Sequence, residues 1–297
     1  MLKLLPRPLR GLLSLGLYVL NTVFWVQPLF LITLLKFVVP VPAWRRWCNR
    51  VLNAIAESWI GINNYNQRIL GGTHLDVSGT QRLKRHGWYL VIANHQSWVD
   101  ILVLQRVFHR KIPFLKFFVK KELFWVPLLG QAWWALDFPF MKRYSKEFLL
   151  RHPHLKGKDI EITRRACEKF KTLPVSIMNF VEGTRFTRAK HRRQESPYEN
   201  LLKTKAGGVA FVLATMGDQL NHILDVTIVY PSGIKSFWAF LCGNIAEIKV
   251  RIKELPVSQA PKGDYVQDPA FRQDFQTWLN GLWGEKDQCI ADLRVSA

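Results

Sequence analysis

Cysteine is scarce and poorly spaced for chemistry. The chain of 297 residues holds four: Cys48, Cys167, Cys242 and Cys289. No pair has zinc-ligand or redox spacing, so reduced, cytoplasm-facing thiols are expected. Acidic residues are also in short supply, 22 Asp and Glu against 42 Lys and Arg, for a net charge of +20. A surface that basic seeks anions: nucleic acid, acidic phospholipid or phosphorylated substrates. The nucleic-acid option lacks its modules, with no helix-turn-helix, zinc finger or RNP-like strand. No repeat or low-complexity stretch is present. The pattern GxSxG is missing, so no serine nucleophile of that type is available.

Charge is absent from residues 11–35, "GLLSLGLYVLNTVFWVQPLFLITLL". Roughly 20 apolar residues suffice to cross a hydrocarbon core of about 30 Å. The run is too long for a signal peptide, and no small-x-small cleavage site follows it. Basic residues flank both ends: Lys3, Arg7 and Arg10 before, Lys36, Arg45, Arg46 and Arg50 after. The positive-inside tendency wants both clusters on the cytoplasmic side. Pro28 interrupts the run, and Pro40 and Pro42 close it. A bent or re-entrant helix pair entering and leaving on one face meets both conditions; a single tilted span is the simpler alternative. The 12 tryptophans fit a protein that sits at headgroup level.

The rest of the chain alternates strands and helices. Residues 44–70 read as a helix and 73–79 as a short strand. "WYLVIA" (88–93) and "VSIMNFV" (175–181) are continuous apolar runs, as expected of strands buried on both faces. "IPFLKFFV" and "LDFPFM" are further candidate strands, and residues 158–173 carry helical spacing. A basic loop follows at "TRAKHRRQESPYEN", then a helix at "GGVAFVLATM" and a strand at "DVTIVY" (225–230). In "EIKVRIKEL", Ile248, Val250 and Ile252 alternate with Lys249, Arg251 and Lys253, which predicts a half-exposed strand. Asp268 and Pro269 form an N-cap and first-turn proline. Phe271, Phe275, Trp278, Leu279 and Leu282 then make a core stripe. The pattern predicts an α/β domain with a mixed, largely parallel sheet flanked by helices. Residues 1–43 would be the membrane anchor and 44–297 the α/β domain, ending in a helix over 269–293.

Two polar junctions carry the candidate chemistry. "NHQSWVD" (94–100) follows the first buried strand, where open α/β sheets bind ligands. Asp100 falls at the start of the next helix and can fold back onto His95, fixing the imidazole tautomer and stabilising the imidazolium. That suits a general base. Ser97 more naturally caps the helix. His95, Asp100 and His109 lack a recognised metal-ligand spacing. A His–Asp pair without its own nucleophile serves a substrate that brings one, such as an alcohol. "EGTRF" (182–186) follows the second buried strand. Gly183 lets backbone amides approach an anion, and Arg185 offers a planar fork for phosphate. Glu182 either steadies Arg185 or binds a ligand hydroxyl.

These residues resemble a known family. "NHQSWVD" fits the NHx4D pattern and "FVEGTRF" the EGTR pattern of the PlsC-like 1-acylglycerol-3-phosphate acyltransferases. Between them, "KKELFWVPLLGQAWWALDFPFMKR" is similar to the family's second block at Lys121, Glu122, Leu123, Pro127, Gly130 and Arg143. The resemblance covers about residues 85–235. It implies that His95 takes the proton of the acceptor hydroxyl and Asp100 orients His95. It further implies that Arg185, Gly183 and Thr184, with Glu182 and Arg143, bind the acceptor phosphate, and that Asn94 and Lys121 support the site. The hydroxyl attacks an acyl thioester directly, and no metal or organic cofactor is expected. Coenzyme A or acyl carrier protein carries the donor. The expected partners are the bilayer and a lysophospholipid, with no nucleic acid. The expected location is a membrane, at the cytoplasmic face of the inner (plasma) membrane in a bacterium. The acceptor expected first is lysophosphatidic acid, with lysophosphatidylglycerol or lysocardiolipin as the alternative. The chain departs from the family at "ILDVTIVYP", where Asp225 replaces a common proline. In that feature it resembles the lysocardiolipin acyltransferase-type enzymes and the bacterial YihG-type proteins.

Overall fold

A computed structural model describes residues 5–141, 151, 168, 170 and 173–295. Cys167, Arg143 and most of the helix expected over 158–173 lie outside the described residues.

The elements run α1 (Arg7–Val38), α2 (Pro42–Asn66), β1 (His74–Ser78), β2 (Tyr89–Ala93), α3 (Val99–Phe108), β3 (Leu115–Phe117), β4 (Val119–Lys120), α4 (Leu129–Ala135) and β5 (Phe140–Met141). They continue as β6 (Ser176–Phe180), α5 (Arg188–Gln194), α6 (Gly207–Met216), β7 (His222–Val229), α7 (Phe237–Leu241), β8 (Glu247–Pro256) and α8 (Pro269–Val295). The main sheet has strand order β1-β8-β7-β2-β6-β3. All neighbours in it pair in parallel except β7 and β8, which are antiparallel. β4 and β5 form a separate two-stranded ribbon. The mixed, largely parallel sheet matches the expected α/β class.

β2 is the centre of the sheet and shows why its sequence is apolar at every position. Tyr89, Val91 and Ala93 join a core that includes Leu52, Val103 and Leu104 under the first three helices. Leu90 and Ile92 join the opposite core with Val209, Phe275, Leu279 and Trp283 from α6 and α8. Helices therefore cover both faces, and a parallel strand between them has no wet side. α8 begins as expected: the Asp268 carboxylate accepts from the N–H groups of Ala270 (2.9 Å) and Phe271 (3.1 Å).

Several expectations are corrected. Pro28 does not break the N-terminal run, because α1 continues through it for 32 residues. The chain reverses later, at Val39–Val41, and α2 packs back along α1. The helix expected over 44–70 instead runs Pro42–Asn66 and ends in a wider π turn, Gln67–Gly71. The basic segment after "EGTRF" is not all loop: α5 forms there, capped by the Thr187 hydroxyl, which accepts from Lys190 N. The strand β8 is not half-exposed at Lys249, which is 7% exposed. α8 lies over that face, and the Lys249 ammonium donates to the Leu293 carbonyl at 3.1 Å.

α1 is built inside out. Its buried positions are Arg10, Gly11, Ser14, Asn21, Val26, Leu29 and Thr33. Leu12, Leu20, Phe24, Leu31 and Leu34 on the outer side are each more than half exposed. Ser14 bonds Asn66, and the Asn21 amide donates to Asn63 (2.8 Å) and to the Trp59 carbonyl (2.9 Å). Among the described residues α1 is the one helix long and apolar enough to cross a membrane.

Candidate active site

The carboxyl ends of β2, β6 and β7 lie side by side, since β2 pairs with both others and Ala93 is in register with Phe180 and Val226. The segments after these strands therefore converge. Asn94, 0% exposed, clasps β7: its amide donates to the Ile228 carbonyl (2.9 Å) and its oxygen accepts from Ile228 N (2.8 Å). The side chain continues a ladder that the strand itself has left.

His95 comes next. Its Nδ1 lies 2.8 Å from Asp100 Oδ2, with the Asp100 side chain fully buried. The same oxygen accepts from Gln96 N (2.6 Å) and Ser97 N (2.8 Å). Asp100 sits in the first turn of α3, where the macrodipole also favours a carboxylate. Nδ1 is thereby committed as a donor to the carboxylate, and Nε2 is the nitrogen left for a reacting group. The imidazole stacks on Phe180, ring centroids 3.8 Å apart. Ser97 is not the cap residue, since Trp98 holds that position. The Ser97 hydroxyl still accepts from Val99 N, at 3.2 Å.

The second junction closes onto the first. Gly183 takes φ +68°, the left-handed region, and its N–H donates to the Phe180 carbonyl at 2.8 Å. The turn then brings Phe186 N to the His95 carbonyl, 2.7 Å. Arg185 stacks its guanidinium on the Trp98 ring, 4.5 Å from the centroid. Among the described residues no carboxylate or carbonyl takes its donors. A cation oriented by an aromatic face keeps its hydrogen-bonding fork available for an anion.

Glu182 corrects its assignment. It does not pair with Arg185, and its side chain has no exposure from which to meet a ligand. It is fully buried, with Oε1 accepting from His95 N (2.7 Å) and Oε2 from Leu202 N (2.9 Å). Burial pushes its carboxyl up to about 8, against the pull of those two amides. It holds the backbone of His95 from the β6 side. Lys121 is corrected too. It opens the short 3-10 turn Lys121–Trp125 and is not among the residues lining the cleft, whereas its neighbour Lys120 is.

An open cleft of about 450 Å³ lies beside the Gly183–Thr184 turn, lined by Lys120, Glu122, Lys190, Arg193 and Lys205 among others. The Lys190 ammonium donates to the Thr184 hydroxyl (2.8 Å) and the Arg185 carbonyl (3.0 Å). Burial, then Arg185, Lys120 and Arg193, lowers the Lys190 pKa. Positive charge is crowded here, which is the condition for anion binding. Trp98, Lys190, Lys120 and Tyr230 are the residues that sequence reasoning did not single out. Lys190 was legible only as one of many basic residues. Tyr230 was legible only as the last residue of the strand expected over 225–230.

A family model described as Acyltransferase matches residues 74–234. The chain is 24% identical over 261 residues to "Probable 1-acyl-sn-glycerol-3-phosphate acyltransferase 5" of Arabidopsis thaliana, covering 83% of this chain and 64% of that one. It is 25% identical over 285 residues to "Lysocardiolipin acyltransferase 1" of Danio rerio, covering 91% and 66%. The chain thus spans slightly under two thirds of the length of these curated relatives. Its fold is similar to the crystal structure of the 1-acyl-sn-glycerophosphate (LPA) acyltransferase PlsC from Thermotoga maritima, with TM-score 0.53, 19% identity and coverage of 94% and 98%.

Proposed function

This chain belongs to the acyltransferase family, and from that premise we propose that it is a membrane-bound O-acyltransferase acting on a lysophospholipid. The observation that carries the reading is the His95–Asp100 pair, 2.8 Å apart, joined through the His95 carbonyl to a turn whose arginine has no protein acceptor among the described residues. A base and an anion handle stand side by side, and among the described residues no protein nucleophile stands between them.

The acceptor is 1-acyl-sn-glycerol 3-phosphate, and the product is phosphatidic acid. Its phosphate lies against Arg185, the Gly183–Thr184 backbone and Lys190, with Arg143 as a further contact. His95 Nε2 takes the proton of the sn-2 hydroxyl as that oxygen attacks the thioester carbonyl. The tetrahedral adduct collapses, the C–S bond breaks, and the imidazolium protonates the leaving thiolate. Asp100 stabilises the imidazolium meanwhile. Such a step needs neither metal nor organic cofactor. The donor is acyl-CoA or acyl carrier protein, and a basic surface suits both. α1, with its apolar outer face, holds the enzyme to the bilayer where the acceptor resides, on the cytoplasmic side of the inner membrane in a bacterium. A second reading, a lysocardiolipin or lysophosphatidylglycerol acceptor, draws on the likeness to the Danio rerio protein and on Asp225 at the position of a common proline.

The test supplies labelled acyl-CoA or acyl carrier protein and a panel of lysophospholipids to the wild type and to His95→Ala. Wild-type transfer to 1-acyl-sn-glycerol 3-phosphate is expected, with a loss of about 10²–10⁴-fold in the variant. Undiminished transfer by His95→Ala would defeat the mechanism, and transfer to another lysolipid alone would select the second reading.

A further inference from the structure

Asp100 has two carboxylate oxygens and no exposure to water. Oδ2 accepts from His95 Nδ1, Gln96 N and Ser97 N. Oδ1 accepts from the Tyr230 hydroxyl at 2.6 Å. We infer that Tyr230 is a positioning residue of the acyl-transfer site, which holds Asp100 in register with His95 and sets how strongly the carboxylate retains the imidazolium. The inference rests on the acyl-transfer reading given above.

The geometry is over-determined at the Tyr230 end. Tyr230 directly follows β7 and is 1% exposed. A turn fixes its backbone: Gly233 N donates to the Tyr230 carbonyl at 2.9 Å, with Pro231 next in line and Gly233 at φ +83°. Two residues upstream, Ile228 is clasped by Asn94, the neighbour of His95. Tyrosine and histidine are thus referenced to the same two strands. With both oxygens tied, the carboxylate cannot rotate Oδ2 away from Nδ1. Without the phenol, Oδ1 would be a buried acceptor with no partner, a costly state that rotation or water entry would relieve.

The electrostatic role follows from the direction of the bond. Burial first, then the charge of Asp100 and the bond to it, raise the phenol well above its ordinary range. Tyr230 therefore stays protonated and donates. A donor at Oδ1 draws charge from the carboxylate and limits its hold on the imidazolium. A base in this reaction must take a proton and then release it to a thiolate, so too strong a hold is as harmful as too weak a one. Among the described residues, the charged groups nearby are Glu182 from the end of β6, which accepts from His95 N, Lys286 of α8, which acts on Glu182, and Arg185 of the following turn, which rests on Trp98. The Glu182 carboxyl is itself raised to about 8, so the test is made with that group neutral.

In the full-length enzyme in detergent or vesicles, kcat/KM is measured against pH for Glu182→Gln with and without Tyr230→Phe. The phenylalanine variant is expected to lose about ten- to a hundredfold in kcat, with both KM values within about twofold. Its acidic limb should move to higher pH by about half a unit to one unit. Replacement of Tyr230 by 3-fluorotyrosine, a stronger donor of nearly the same shape, should move that limb to lower pH. A limb that stays in place in both variants overturns the proposal and leaves Tyr230 as packing. Should Tyr230→Phe fail to fold, as judged by melting, the fluorotyrosine shift alone decides. A wild type without acyl transfer would instead refute the acyltransferase reading, an outcome distinct from an active enzyme whose limb does not move.

Discussion

Helix α1 and the α/β domain differ in which residues they turn outward and in how many polar ones they bury. In the domain, β2 and α8 put Val91, Ile92, Leu279 and Trp283 inside. Charged groups are buried there against partners, as in the Lys286–Asp225 pair at 2.6 Å and Asp100 among its donors. In α1 the inner face carries Ser14, Asn21 and Thr33, and the outer face carries leucines and phenylalanines. The same rule, that each surface matches its solvent, gives both results if water bathes the domain and hydrocarbon bathes α1. Inward asparagines then act as interhelical adhesive, because burying more leucine gains little in a medium that already resembles leucine.

Substitutions can break that contrast at chosen points. The largest effect is expected inside the domain. Asp225→Ala leaves the Lys286 ammonium, fully buried, without its counter-charge. The cost should be about 3–5 kcal/mol, read as a lowered denaturation midpoint in detergent. An unchanged midpoint would mean that α8 is held by its apolar stripe alone. Next comes the outer face of α1. Leu20→Lys places a charge near the centre of the helix at a position 67% exposed. If hydrocarbon covers it, the variant should lose about 2.5–3.5 kcal/mol of membrane insertion and appear in the soluble fraction. Full retention in the membrane would remove the hydrocarbon reading of that face.

A smaller effect separates the buried carboxylates. The Glu182 carboxyl is raised from its ordinary 4.5 to about 8. The folded chain therefore keeps a proton that the unfolded chain has released. Its contribution to stability is complete below about pH 4.5 and is lost as pH rises through about 8. The slope is at most about 1.4 kcal/mol per pH unit. Melting curves from pH 5 to 9 should show this slope in the wild type and a flatter one in Glu182→Gln; parallel slopes would contradict the assignment. The smallest effect lies at the mouth of the site. Trp98→Leu removes the face on which Arg185 rests. The acceptor KM should rise about two- to fivefold at unchanged kcat, as expected for a cation–π contact worth about 0.5–1 kcal/mol. A fall in kcat with constant KM would show that Trp98 serves His95 instead.

The amino-acid sequence by itself determined the local facts. Continuous apolar runs announced β2 and β6, because a strand covered on both faces has no polar position. The five-residue step from His95 to Asp100 announced the pair, because a helix starting between them folds the carboxylate back. Gly183 announced a tight turn open to an anion, and Asp268 with Pro269 announced the start of α8. Each of these depends on neighbours within one or two turns of chain.

Only the tertiary structure decided which distant groups complete those local pieces. Tyr230 reaches Asp100 across 130 residues, because the strand order sets β7 next to β2. Glu182 turned inward to two backbone amides because β6 sets it under His95, where no substrate can come. Lys249 alternated like an exposed residue, yet α8 covered it. Lys120 rather than Lys121 faces the cleft, because the chain enters a tight turn between them. Periodicity reports which side of an element is apolar; sheet order and helix docking decide what that side meets.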